Sequence, residues 1–438
     1  MTTLQNVDPH ETNEEAKMKN AKRILAMLLV LCMMAAMCAC TTTTKPTEQN
    51  TEKPTDAPKP TDGDATEAPT EDNGEIPLEK TVALILQPGG LGDEGWNDAS
   101  WAGLQRMMKE RGIGGVTVET AATADTEFFI RELAEKGYGL IYCLDTSVIP
   151  TCMQVSADYP DSMFVYPAKL NLNANKGNTY WMWYQLNEIG FMAGVVAAFV
   201  ATDGNEIVDY AGQNPGCKIG CIFGADSAGF YRYADGFEHG AKWVNPDAEV
   251  VYDFTAGYTD TANCQTIAEN MIKNNGCDVI WTCCGTAGYG GLQACRLNGA
   301  LGIGVDSDQD MVEEGYVITS GMRMMDHDIE FVIDKWLAGT LEGSNDMFDL
   351  ANGSVGITDM SVIEKHVTNK ENFQRLKDKV TEVEQLIKER KLRPYDTAET
   401  AYTGDGTIVR FADWWKENKD TNPNNIHDWY YPDQIIYN

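Results

Sequence analysis

From Thr81 to about Asn345 the chain alternates short, apolar, β-rich runs with amphipathic helical patterns, and this alternation constrains the fold more than any other feature. Residues 82–86, 116–119, 140–144, 163–165, 218–223, 250–254, 279–282, 302–305 and 317–319 read as strands buried on both faces, the pattern of parallel sheets. Between them, residues 101–111, 127–136, 186–201, 231–244 and 266–274 carry helical periodicity. Strands and helices in strict alternation predict an α/β protein with two doubly wound units.

An internal repeat supports two similar lobes. "TADTEFFIRELAEKGYGLIYC" (123–143) has a counterpart in "YTDTANCQTIAENMIKNNGCDVIWTC" (258–283). Each copy carries an Asp-Thr pair placed to cap a helix, then an amphipathic helix, a Gly that ends it and an apolar strand. Two Rossmann-like lobes with one ligand site between them is the architecture this predicts. Beyond Asn345 the pattern loosens. Residues 373–392 read as a charged helix with an apolar stripe at Leu376, Val380, Val383 and Leu386, and the tail carries Trp414, Trp415, Trp429, Tyr430 and Tyr431, which read as a packed cap or a partner surface.

The N-terminus indicates where the protein works. Lys17, Lys19, Lys22 and Arg23 precede an apolar stretch, 24–37, too short to span a bilayer and long enough for the core of a signal peptide. It runs into Met37-Cys38-Ala39-Cys40, which resembles a bacterial lipobox, with Cys40 as the acylated residue. Residues 41–74 are almost all Thr, Pro, Glu, Asp, Lys and Ala, a composition that cannot offset its own ordering entropy and so predicts a disordered tether. Such a tether has an end-to-end distance of roughly 35 Å. With 34 Lys and Arg against 66 Asp and Glu, the formal net charge of −32 disfavours nucleic acid and anionic membrane surfaces as partners and leaves neutral or cationic ligands open.

Tests for chemistry return little. "GGLGDEGW" (89–96) contains G-x-G-x-x-G between a strand and a helix, and Glu119 ends the next strand where a ribose-binding acid would lie. Against a dinucleotide site, Asp93 and Glu94 fall where a pyrophosphate would rest, and Gln87-Pro88-Gly89 lengthens the turn before the first glycine of the motif. "DSDQD" (306–310) lacks the turn Gly and closing Glu of a calcium loop, and the five His have no metal-ligand spacing. No G-x-S-x-G occurs, so a hydrolase is unmotivated. The nine Cys beyond the tether sit mostly inside apolar runs and read as buried small hydrophobes, with one or two disulfides as the alternative.

Taken in order, "GGLGDEGWNDASWAGL", "NEIGFMAGVVAA" (187–198), "GFEHGAKWVNPDAEV" (236–250), "GYTDTAN" (257–263), "CGTAGYG", "GVDSDQ" (304–309) and "TSGMRMMD" (319–326) resemble the basic membrane protein family of ABC-transporter substrate-binding lipoproteins, which includes purine-nucleoside receptors. The resemblance covers about residues 80–395. It implies a type I periplasmic-binding-protein fold, two Rossmann-like lobes joined by a three-segment hinge. Residues 80–183 with 321–345 would form lobe 1, and 184–320 with 346–395 lobe 2. Residues 1–39 would be the N-terminal extension and signal peptide, 40–79 the tether and 396–438 an aromatic extension.

The resemblance also implies a site. Trp96 and Tyr258 would sandwich a purine base, and Asn97 would meet the base edge. Asp306 would accept from the ribose hydroxyls, with Arg323, in place of the family's usual Lys, bonding the ribose and neutralising Asp306. Gly285 lies in the Gly-rich turn, and Asp93 matches the loop acid or serves as a helix N-terminal charge. Two positions depart from the pattern: the Asp that usually follows the "LIYC" strand is lost from its place, with Asp145 as its substitute, and Tyr289 replaces an Asn. The function implied is binding without chemistry, with no cofactor or metal. A monomer, lipid-anchored on the extracytoplasmic face of the cell membrane, delivers a nucleoside to a permease and its ATPase. A sensory receptor, a sugar-binding protein and an exported nucleoside-processing enzyme are the alternatives.

Overall fold

The computed structural model describes residues 76–87, 90–93, 95–119, 123–145, 149–167, 177–341 and 345–396. Cys40, the signal peptide, most of the tether and the aromatic tail lie outside them.

Two six-stranded sheets form among the described residues. The first contains β1 (Thr81–Ile85), β2 (Gly114–Val118), β3 (Leu140–Cys143), β4 (Met163–Tyr166), β5 (Thr179–Tyr184) and β11 (Asn345–Phe348), in the order β11-β5-β4-β3-β1-β2 and parallel throughout. Its helices are α1 (Trp96–Arg111), α2 (Thr123–Lys136), α3 (Ile149–Asp158) and α8 (Met325–Leu337). The second contains β6 (Lys218–Phe223), β7 (Glu249–Asp253), β8 (Val279–Cys283), β9 (Leu301–Asp306), β10 (Val317–Arg323) and β12 (Val355–Ile357), in the order β12-β10-β9-β8-β6-β7. Here only the edge strand β12 runs antiparallel. Its helices are α4 (Leu186–Ala201), α5 (Ala228–Val244), α6 (Thr261–Asn275), α7 (Gly288–Asn298) and α9 (Lys370–Lys388). This is the two-lobed α/β fold expected.

The chain crosses between sheets three times: from β5 to α4, from β10 to α8 and from β11 to β12. The expected lobe boundaries move slightly, because each strand continues until its hydrogen-bonded neighbour ends. Tyr184 completes β5 in the first sheet opposite Phe348, β10 keeps Gly321, Met322 and Arg323 in the second sheet against β12, and β11 carries residues 346–348 into the first. One carboxylate ties the three crossings together. Asp328, buried in the first turn of α8, accepts from Tyr184 Oη at the end of β5 and from Ser354 Oγ beside β12, both at 2.8 Å.

Helix α4 is apolar all round, the composition of a helix with no solvent face, and every residue from Asn187 to Ala201 is buried. It packs on α5 backbone to backbone. A Cβ on Gly194 would stand 2.0 Å from the carbonyl oxygen of Phe237, and one on Gly240 would stand 2.0 Å from that of Phe191. Only glycine allows that approach. The stripe on α9 buries Leu376, Val380 and Val383 as expected, with Phe373 and Ile387 completing it in place of the half-buried Leu386. The nine described cysteines are all buried as free thiols, with Cys264 and Cys284 Sγ 3.5 Å apart.

Candidate functional site

In each sheet the first strand of the lobe lies between the second and third, so the strand order reverses there and a crevice opens at the strands' C-terminal ends. The two crevices face each other across one cavity of about 150 Å³. Lobe 1 lines it with Gln87, Asp93, Trp96 and Asn97 from the loop after β1. Lobe 2 contributes Ser227, Phe230 and Tyr233 around the start of α5, Tyr258 and Thr259 before α6, Gly285 after β8, Asp306 at the end of β9 and Arg323 at the end of β10.

Seven of the nine residues singled out from sequence therefore border the cavity: Asp93, Trp96, Asn97, Tyr258, Gly285, Asp306 and Arg323. Several do different work there from what the resemblance implies. The Asp93 carboxylate accepts from the backbone N–H groups of Gly95, Asn97 and Asp98 at 2.9–3.1 Å, which makes it the cap of α1. Burial raises its pKa above the ordinary value, against the lowering effect of those three donors. Asn97, 2% exposed, spends both amide hydrogens on the loop it follows, donating to Gly90 O at 2.9 Å and Gln87 O at 3.3 Å, while its Oδ1 accepts from Gln87 N at 2.9 Å. It holds the turn and has no donor left for a base edge.

The glycine loop is closed to a pyrophosphate for the same reason. Gly90 and Gly92 take φ of +68° and +92°, but the amides of Leu91 and Gly92 point at the carboxylates of Glu119 and Asp98, and those beyond Asp93 point at Asp93. An anion would meet three acids where it needs donors.

Trp96 is 5% exposed. Its indole N–H donates to Leu144 O at 3.3 Å, and Tyr184 packs against it edge-on with ring centroids 6.4 Å apart. The guanidinium of Arg323 lies over its ring, Cζ 3.7 Å from the centroid. Arg323 Nε also donates to Asp306 Oδ1 at 2.5 Å. Burial works against the guanidinium's charge, but the Asp306 carboxylate and the Tyr233 and Tyr184 phenols together outweigh it and hold the Arg323 pKa above its ordinary value. Asp306 is a non-glycine residue at φ +66°, a left-handed conformation that Asp tolerates better than most residues and that recurs at functional sites.

On the facing lobe Tyr258 is 37% exposed and lies against Gly224, where a Cβ would come within 2.7 Å of its ring. Phe230 sits 6.3 Å from it at 33°, and burial raises the phenol's pKa. The remaining two expected residues stand outside the cavity lining. Asp145 is buried just past β3, and Tyr289, at the start of α7, donates from Oη to the Asp93 carbonyl at 3.2 Å, a hydrogen bond from one lobe to the other. The acids of "DSDQD" are spent internally, Asp306 on Arg323, Asp308 on the Asp310 N–H and Asp310 on Ser320 Oγ. Sequence reasoning missed Gln87, Phe230, Tyr233 and Gln309. The aromatic pair Phe230 and Tyr233 was within reach, because α5 begins at Ala228 and not at Tyr231.

The sequence profile of the Bmp family, described as PnrA-like ABC transporter substrate-binding proteins, matches residues 80–390. The chain belongs to this family. Its relatives include the ABC transporter nucleoside-binding protein BmpA of Lactococcus lactis subsp. cremoris, 26% identical over 307 residues, covering 65% of this chain and 83% of that protein. The transcriptional activator protein med of Bacillus subtilis is 26% identical over 285 residues, covering 64% and 84%. An ABC transporter solute-binding protein from Aeropyrum pernix has the same fold, with a TM-score of 0.63 at 20% identity, covering 80% of this chain and 98% of that one. The protein is thus an ABC-transporter substrate-binding protein with a type I binding-protein fold. No helix among the described residues is long and apolar enough to cross a membrane.

Proposed function

We propose that the protein is the extracytoplasmic receptor of an ABC importer, anchored by a lipid on Cys40, and that it takes up a nucleoside between its lobes and delivers it to a permease. One observation carries the reading: an aromatic pair, Tyr258 with Phe230, lines the same cavity as the Asp306 carboxylate. A base has a face to stack and a ribose has vicinal hydroxyls to donate, so the two chemistries match the two halves of a nucleoside. The name of the Lactococcus relative supports the same ligand class. Acids at the glycine loop, Asp93 and Glu119 among them, disfavour nucleotides, whose phosphates would meet like charge there. Ligand stabilises the closed form by as much as its affinity for closed exceeds that for open.

Thermal unfolding with adenosine, guanosine, inosine, cytidine, ribose and NAD tests this. A true ligand at a hundred times its Kd adds about 2.7 kcal/mol, a rise of several degrees in Tm. Stabilisation by purine nucleosides but not by ribose or NAD is the expected result, and silence across all nucleosides would refute the ligand class.

A further inference from the structure

We propose that Arg323 plugs the cleft: its guanidinium occupies the stacking face of Trp96, and a planar ligand gains that face only by displacing it. The inference rests on the nucleoside reading above for its ligand, but not for its geometry.

Trp96 has one face to offer. The indole is 5% exposed, its N–H is tied to Leu144 O, and Tyr184 packs against it edge-on. The cleft side is covered by Arg323, whose Cζ stands 3.7 Å from the ring centroid, the distance of van der Waals contact. The guanidinium is anchored from the opposite lobe. Asp306, at the end of β9, takes its Nε at 2.5 Å, and both residues terminate adjacent strands of the second sheet. Trp96 opens α1 of the first lobe. Arg323 therefore bridges the lobes, and the Tyr289 bond to the Asp93 carbonyl joins them a second time.

Volume points the same way. The cavity of about 150 Å³ compares with one that accommodates benzene, smaller than a purine with its ribose. Swinging Arg323 off the indole supplies both the missing room and the missing stacking surface. Arginine is suited to this role where lysine is not: a planar, weakly hydrated guanidinium lies flat on an indole, while an ammonium keeps the charge for Asp306 but presents no plane. A desolvated cation–π contact costs a competing ligand on the order of tenfold in affinity, because only the fraction of molecules with the face uncovered can bind.

The test uses Arg323→Lys in the purified protein, with two readouts. Without ligand, the change in tryptophan emission on Arg323→Lys should be present in the native background and vanish in the Trp96→Phe background, and its persistence in that background, or its absence from both, overturns the plug. In calorimetric titration with inosine, Arg323→Lys should bind about tenfold more tightly, while ribose, which has no ring to stack, shows no such gain. Unchanged or weaker inosine binding would show that Arg323 holds the ligand instead of excluding it, and would overturn the proposal. Should no nucleoside bind either protein, the nucleoside reading fails and the emission arm alone decides the plug.

Discussion

Replacing Asp306 separates the two things that this residue does. Its carboxylate neutralises Arg323, whose side chain is only 15% exposed, and its backbone sits at φ +66°. In Asp306→Ala the guanidinium is left in the cleft without its counter-ion and the backbone strain remains. Removing one partner of a buried pair costs about 3–5 kcal/mol, and the partial exposure of Arg323 and its contact with the Trp96 face place this case at about 3 kcal/mol. Asp306→Gly loses the same ion pair but relieves the left-handed backbone, which recovers about 1 kcal/mol. Urea denaturation followed by far-ultraviolet circular dichroism measures both. The account requires Asp306→Ala to be the less stable of the two by about 1 kcal/mol, with Asp306→Gly still well below the native protein. A loss under about 1 kcal/mol for Asp306→Ala, or a glycine variant no better than the alanine one, would refute the reasoning.

Further outcomes follow from the helices, the lobe contact and the hinge. Gly194→Ala must push α4 away from Phe237, so a loss of about 3 kcal/mol or more is expected in the same assay, and a loss under about 1 kcal/mol would contradict the backbone-to-backbone crossing. Tyr289→Phe removes the hydrogen bond between lobes; a net loss of about 1 kcal/mol from the closed form should enlarge the radius of gyration in solution scattering and weaken ligand binding about fivefold. Burial pushes Asp328 up to about 6, against the lowering effect of Ser354 and Tyr184, so its charged form opposes folding above that pH and the opposition is relieved as pH falls through 6 towards 3.8. Unfolding free energy should accordingly rise by about 1 kcal/mol from this group between pH 7.5 and 5, and Asp328→Asn should remove that part of the slope.

Legibility in the sequence followed burial. The bounds of β6 and α4 coincide with those read from the chain, because both are apolar along their length and end at abrupt changes of composition. The strand β5, "TYWMWY", is not marked by the alternation although its aromatics favour a strand, and β11, "NDMF", is a short edge strand whose identity comes from pairing with residues 181–184. Helix α7 was hidden by Gly288, Gly290 and Gly291, and those glycines are there because α6 and β8 approach too closely for side chains. At the site, the family pattern located seven of nine residues on one cavity but could not say what each side chain touches. That Asn97 spends its donors on Gln87 and Gly90, and that Arg323 lies on Trp96, depends on how two loops from different strands meet in space.

The most direct test of the central claim is calorimetric titration of the purified protein with inosine, followed by chromatography of the recovered ligand. One inosine per chain, returned unchanged, with binding abolished in Asp306→Ala, is the outcome the two-lobed site predicts. No binding by inosine or any other nucleoside, or recovery of free base and ribose in its place, would contradict it.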